Sequence, residues 1–157
     1  MMDMGEEVYI GVGSNMGDRW HHIQEAIALL HQEPCCQICQ VSTLIETTPV
    51  SSITQPHFLN GAIHLHTTLS MLDFWIVTCT IEKKMGRETK GDGGPRPIDL
   101  DILFFGQACT HQQHLIIPHP LLHTRAFVLK PLLELCPHFI HPILKESIAT
   151  LYHRLTD

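Results

Sequence analysis

The alternation of apolar and polar positions divides the chain into strand-like runs separated by two segments of helical period. Residues 9–12 read as a first strand, ending in the turn-forming run Gly13-Ser-Asn-Met-Gly17. From Asp18, a plausible helix cap, Trp20, Ile23, Ile27 and Leu30 recur at helical spacing until Pro34 stops the pattern. Residues 39–47 form a second strand candidate, 51–57 a loop bearing Ser, Thr and Pro, and 58–67 a third strand. Ser70 and Asp73 fit a capping box opening a second helix, with Leu72, Trp75, Ile76 and Cys79 on one side and an end near Gly86. A Gly-rich loop then leads through Pro95 into a strand that begins at the Asp99 and Asp101 pair. The order β-α-β-β-α-β predicts an α+β fold, a ferredoxin-like antiparallel sheet with helices mainly on one face. Beyond Pro120, leucine-rich helical pieces are broken by Pro131, Pro137 and Pro142.

Along the third strand Phe58, Asn60, Ala62, His64 and His66 share one side, while Leu59, Ile63 and Leu65 share the other. The aliphatic side is expected to pack on the helices. Phe58 and Asn60 then fall on the less buried side, where a ligand can lie.

Composition narrows the class. A chain of 157 residues is expected to be one domain, 1–157, with a single core and no need of a disulfide or metal staple. A formal charge of −6 argues against a nucleic-acid binder. Yet Lys83, Lys84, Arg87, Lys90 and Arg96, half of the ten Lys and Arg, lie in one stretch beside the Asp pair. Lys83 and Lys84 are read as a solvated helix end that complements the dipole. The first residues lack the basic and apolar regions of a secretory signal, and no apolar run reaches the roughly 18 residues of a membrane span, so a cytoplasmic protein without membrane association is expected. In that compartment the six cysteines are expected to be free. Cys36 and Cys39 are spaced as C-x-x-C, but no second pair completes a zinc site, and packing or surface placement is the reading for both. The thirteen histidines are scattered; His111 with His114 and His119 with His123 form metal pairs on paper only.

Chemistry concentrates between Gly93 and Gly106. In an extended chain Asp99 and Asp101 project to the same face while Leu100 points away. Such a carboxylate pair beside Arg96 suits a triphosphate with a hard cation, which takes oxygen ligands from one or two carboxylates, waters and phosphates. Pro95-Arg-x-x-Asp-x-Asp101, followed by two aliphatics, closely resembles the signature of hydroxymethyl-dihydropterin pyrophosphokinase, the folate-pathway enzyme that moves pyrophosphate from ATP to a pterin alcohol. Three further segments agree: Tyr9-Ile-Gly-Val-Gly-Ser-Asn15, Glu46-Thr-Thr-Pro-Val50 with Gln55-Pro-His-Phe-Leu-Asn60, and Ile117-Pro-His-Pro120 with Arg125-Ala-Phe127.

The resemblance implies ATP and 6-hydroxymethyl-7,8-dihydropterin as ligands and two Mg²⁺ ions on Asp99 and Asp101; a monomer is expected. It places Phe58 and Phe127 on opposite pterin faces, Asn60 on the ring edge, and Thr47, Thr48 and Val50 beside them. Flat stacking and an amide that donates and accepts suit a pterin. It places Arg96, His119 and Arg125 on phosphates or ribose, Glu82 on the nucleotide side, Ile102 with its backbone toward adenine, and His114 and Ile116 at further nucleotide contacts. In the loop it retains Arg87, while Thr89 stands where a second arginine often occurs and Gly93 where a tryptophan does; Lys90 is then the substitute cation. Two other readings fit parts of the sequence. Another Asp-x-Asp transferase leaves the Gln-Pro-x-Phe-Leu-Asn block unexplained, and a non-catalytic metal sensor built on Cys36, Cys39 and nearby histidines predicts bound Zn²⁺ or Cu⁺ without ATP consumption.

Overall fold

The computed structural model describes residues 5–88, 92–112 and 114–157; Thr89 and Lys90, two of the loop positions named above, lie outside the described residues. Strands β1 (Glu6–Ser14), β2 (Cys36–Val41), β3 (Ile45–Thr47), β4 (Phe58–Thr67) and β5 (Asp99–Phe105) form one sheet in the order β2-β4-β1-β5, with β3 also on β4. Every pairing is antiparallel. Helices α1 (Arg19–Gln32) and α2 (Met71–Lys84) make the two crossovers, so the ferredoxin-like order expected from the sequence is present.

Both crossover helices start where a side chain satisfies an otherwise unpaired amide. Asp18 accepts from the amide of His21, and Ser70 from that of Asp73. The faces they bury differ from the expectation. In α2 the buried positions are Phe74, Thr78, Ile81 and Glu82, whereas Leu72 and Ile76 are exposed, and in α1 Trp20 is exposed. The apolar residues of α2 are distributed around most of its circumference, so spacing alone did not settle which stripe meets the sheet.

The second strand also differs: it starts earlier and is broken at Ser42. There the Ser42 amide donates to the Ala62 carbonyl, and the Ser42 hydroxyl accepts from the Ala62 amide, so one residue's side chain replaces a ladder group. The chain is thereby released toward β3, and Glu134 clasps the amide and hydroxyl of Thr43 at 2.6 and 2.7 Å.

Two cores sandwich the sheet. On one face Val8, Ile10, Ile63, Leu65, Leu100 and Ile102 meet Ile23, Leu30 and Phe74 of the crossover helices. On the other, Tyr9, Ala62, Leu103 and Phe104 meet Leu122, helix α3 (Ala126–Leu135) and helix α4 (Ile148–Thr156). The C-terminal helical pieces therefore cover the second sheet face, but only in part. A short hairpin, β6 (Thr110–Gln112) and β7 (Leu115–Ile117), follows the edge strand β5.

Candidate active site

Three neighbouring strands make the floor of a cleft at the end of the sheet that α3 and α4 leave uncovered. Gly13 on β1 stands opposite Asn60 on β4 and opposite Asp99 on β5; Gly11 stands opposite Asp101. The glycines leave room between the flanking polar groups. A Cβ added to Gly13 would lie 2.3 Å from the Asn60 side-chain oxygen. Leu100 and Ile102 turn into the core, so Asp99 and Asp101 share the cleft face as the strand period requires.

The cleft encloses about 840 Å³, its open mouth included. Thr47, Thr48 and Val50 line one wall, Phe58 and Asn60 the floor, and Arg96, His119, Arg125 and Phe127 the remainder. All six positions expected to take the pterin are thus gathered in one cavity. Phe58 lies deeper than expected: it is buried, with the Arg96 guanidinium 4.7 Å from its ring centre. Phe127, in the first turn of α3, is half-buried beside Arg125. The Asn60 amide donates to Thr47 Oγ1 at 2.5 Å, which orients it across the cleft.

Two polar nodes hold the walls. Asn15, buried in the turn after β1, donates to the Gln55 side chain at 2.9 Å and the Pro56 carbonyl at 3.0 Å, and accepts from the Arg96 amide at 2.9 Å. One amide so joins the turn, the loop bearing Gln55 and Pro56, and the arginine ahead of the Asp pair. The second node is the Gly93 carbonyl, which accepts from Ser51 Oγ at 2.9 Å and Gln55 Nε2 at 2.7 Å. Gly93 has φ +76, a left-handed conformation that a tryptophan would adopt only with strain. Asn15 and Gln55 lie inside the motifs quoted from the sequence and Gly93 just ahead of one, but their pairing depends on the fold and has no signal in the sequence.

A second cleft runs along the outer edge of β5, lined by Trp75, Leu100, Asp101, Ile102, His114, Ile116, His119 and Pro120. As an edge strand β5 presents backbone groups outward, which is what an adenine contact by Ile102 requires. The two clefts share Asp101 and His119. Ile102, His114, Ile116 and His119 therefore come together, and Arg125 lies in the first cleft with Phe127.

Two expected site residues are placed differently. Glu82, assigned to the nucleotide side, lines neither cleft; it is buried, accepting from the Leu100 amide at 2.8 Å and from Arg87 Nη1 at 3.1 Å. Arg87, expected among the loop cations, is also buried, and its Nη1 reaches the Ile98 carbonyl at 3.1 Å and Asp99 Oδ1 at 2.6 Å. The physical reason is proximity to three carboxylates. Burial works against the Arg87 charge, but Asp99, Glu82 and Asp101 outweigh it and hold the proton more tightly than usual. Arg96 Nη2 stands 3.4 Å from Asp99 Oδ2, and its Nη1 donates to the Gly94 carbonyl.

Asp99 and Asp101 are the acidic side chains among the cleft-lining residues, and both are partly exposed. An oxygen-only pair opening onto solvent fits hard cations such as Mg²⁺.

Comparison with known proteins agrees with this geometry. Residues 9–137 match the family model of 7,8-dihydro-6-hydroxymethylpterin-pyrophosphokinase (HPPK). The chain is 41% identical over 133 residues to the 2-amino-4-hydroxy-6-hydroxymethyldihydropteridine pyrophosphokinase of Bacillus subtilis, covering 85% of this chain and 80% of that one. It is 38% identical over 149 residues to the bifunctional protein FolKE of Lactococcus lactis, covering 93% of this chain but 42% of the relative. A solved Plasmodium falciparum HPPK-DHPS shares the fold, with a TM-score of 0.77 at 17% identity over 98% of this chain and 43% of the other. The chain thus spans less than half the length of these two-part proteins. By the family match and by its identity to the Bacillus subtilis enzyme, it belongs to the HPPK family.

Proposed function

We propose that the first cleft takes the pterin, the second takes the nucleoside end of ATP, and the pyrophosphoryl group passes between them over Asp99 and Asp101. As an HPPK the chain transfers pyrophosphate from ATP to the hydroxymethyl group of 6-hydroxymethyl-7,8-dihydropterin in folate biosynthesis, giving the pterin diphosphate and AMP. The observation that carries the division of labour is that the two clefts meet at Asp101 and His119.

In this reading Phe58 and Phe127 sandwich the ring, Asn60 and the Thr47 to Val50 segment read its edge, and the pterin hydroxymethyl oxygen faces the Asp pair. Arg96, Arg125 and His119 neutralise phosphate oxygens, with Lys90 from the loop. Positioning and electrostatics supply the rate, because charge develops on oxygens around the transferred group. Asp99 and Asp101 would hold two Mg²⁺ ions, which when bound neutralise phosphate charge and lower the pKa of the attacking hydroxyl. Arg87 acts from behind: its contact to Oδ1 fixes the Asp99 carboxylate on the inner side. The reaction is that of an Mg-dependent ATP:6-hydroxymethyl-7,8-dihydropterin diphosphotransferase. We further infer a monomeric, cytoplasmic enzyme that binds no nucleic acid. Among the described residues no helix is long and apolar enough to cross a membrane.

Incubation with ATP, Mg²⁺ and 6-hydroxymethyl-7,8-dihydropterin tests the reading. AMP should form stoichiometrically with the pterin diphosphate, and none should form when Mg²⁺ is removed by chelation. ADP as the main product would report attack at the γ-phosphorus and overturn it.

A further inference from the structure

The cleft-side face of β4 continues past the active site into a second group of chemically capable residues. His64 lies four positions beyond Asn60, about 13 Å along the strand, and Ala62 with its cover of α3 lies between them. Here Glu7 of β1, Cys39 of β2 and His64 of β4 each present one ligand atom, all within 4.8 Å of one another. Three adjacent strands contribute one group each.

The backbone is shaped to deliver them. The ladder between β2 and β4 shifts register between Ile38 and Gln40, so Cys39 is the extra residue of a bulge. Gln40 stands opposite His64, Ile38 opposite Leu65 and Val41 opposite Ile63, and Cys39 falls between them outside the paired register. Bulges re-aim side chains in this way. Its neighbour in the C-x-x-C pair does not take part: Cys36 faces the core and meets Thr67 Oγ1.

Surrounding groups orient the would-be ligands. Glu7 Oε1 lies 2.8 Å from His64 Nε2, and Glu7 Oε2 lies 2.5 Å from His66 Nδ1, so His66 steadies the carboxylate by its other oxygen. Tyr9 stacks on His64 with ring centres 4.6 Å apart and planes 14° apart, which fixes the imidazole plane. Orientation of ligating groups by such outer partners is characteristic of metal centres.

We propose that Glu7, Cys39 and His64 form a Zn²⁺ site that clips the edge strand β2 to β4 and β1. One thiolate, one carboxylate and one neutral imidazole balance the divalent charge and make a mixed S, N and O set suited to Zn²⁺, with the fourth position open to water. Mg²⁺ prefers an all-oxygen shell, so the site differs in kind from the Asp pair of the phosphate-transfer centre. A tetrahedral ion needs its ligand atoms roughly 3.5 Å apart, a contraction that rotation of the exposed Glu7 and Cys39 side chains supplies. On binding, the Cys39 proton goes to solvent, and the proton shared by Glu7 and His64 passes through solvent to His64 Nδ1, leaving Nε2 of the neutral imidazole to the ion.

Titration of the metal-free full-length chain with Co²⁺, a spectroscopic stand-in for Zn²⁺, tests this. At one equivalent a near-ultraviolet thiolate-to-cobalt band and the visible bands of a tetrahedral ion should appear, and Zn²⁺ should abolish them. Cys39→Ser should remove the near-ultraviolet band, and Cys35→Ser and Cys109→Ser, which alter other exposed thiols, should leave it. His64→Ala should weaken binding more than His66→Ala, for which roughly tenfold to a hundredfold is expected. A band that survives Cys39→Ser, or no band at all, overturns the proposal. A readout without substitution guards against misfolded variants: Zn²⁺ should protect Cys39, and not Cys109, from iodoacetamide as read by mass spectrometry. Equal labelling of Cys39 with and without Zn²⁺ would also overturn it.

Discussion

Arg87 separates two accounts of the loop ahead of the Asp pair, and substituting it tells them apart. Its side chain is 5% exposed and lies between Glu82, also 5% exposed, and Asp99, at 19%. Arg87→Met keeps most of the stem but leaves two carboxylates facing a gap. Asp99 borders the cleft and can hydrate, so the cost falls mainly on the buried Glu82, which keeps its contact with the Leu100 amide. Removing one partner of a buried ion pair costs about 3–5 kcal/mol. We expect a loss near the lower end, about 3 kcal/mol, against a total domain stability on the order of 5–15 kcal/mol. Glu82→Gln in the Arg87→Met background removes the buried carboxylate charge and keeps an acceptor for the Leu100 amide. It should recover roughly 1–2 kcal/mol, a coupling of the size expected for contacting groups. Urea denaturation of the four proteins, followed by far-ultraviolet circular dichroism, gives the cycle directly. If Arg87→Met costs under about 1 kcal/mol and the two substitutions add, the guanidinium is not held between these carboxylates. A large fall in turnover with unchanged stability would then restore its role as a loop cation on phosphate.

Three further outcomes are expected. Asp101→Asn should lower the rate of AMP formation by roughly a hundredfold or more, since it neutralises a charge at the junction of the clefts; turnover near that of the unsubstituted enzyme would make the carboxylate structural. Gly13→Ala should drive the Asn60 amide from its place on Thr47, weakening pterin binding by about tenfold to a hundredfold as the hydrogen-bonding edge is lost, with binding of an ATP analogue little changed; calorimetry showing equal losses for both ligands would refute the role of Asn60. His141 is buried, and its Nδ1 accepts from the Ile143 and Leu144 amides. Burial, helped by His123, lowers its pKa below the ordinary 6.5, so the folded state holds the neutral form. Its contribution to stability is thus present above pH 6.5 and lost as pH falls through the lowered value. A histidine NMR titration placing His141 at or above 6.5 would contradict this.

Period and punctuation exposed the architecture because each crossover helix begins at a side-chain cap and the two faces of β4 carry different residues. The Asp18 and Ser70 caps and the limits of β4 agree with the sequence reading. What pattern could not supply was direction within the helices and pairing at a distance. Leu72 and Ile76 look like core residues, but the helix turns Phe74 and Ile81 to the sheet instead. Asn15 and Gln55 are forty positions apart, and their bond depends on the β1 turn and the loop after β3 meeting above Gly93. The burial of Arg87 and Glu82 was illegible for a related reason: a cation beside an Asp pair reads as a phosphate ligand unless one knows that α2 carries a carboxylate behind it.

The single row Phe58, Asn60, Ala62, His64, His66 shows how one strand face comes to hold three different environments. Its residues alternate identically, so their fates are set by what lies above them. At the first two positions the opposite residue on β1 toward the cleft is Gly13 at Asn60, and the missing side chain leaves space for a ligand. At the third, Ala62 is small enough for α3 and its leucines to close down, sealing the cleft from the rest of the face. At the last two, Tyr9 and Glu7 stand opposite His64 and His66, and the imidazoles are organised by stacking and by one carboxylate. Filling the β1 position opposite Asn60 with a side chain would close the first cleft without altering the β4 pattern. The specificity of this face therefore lies as much in the glycines of β1 as in the polar residues of β4.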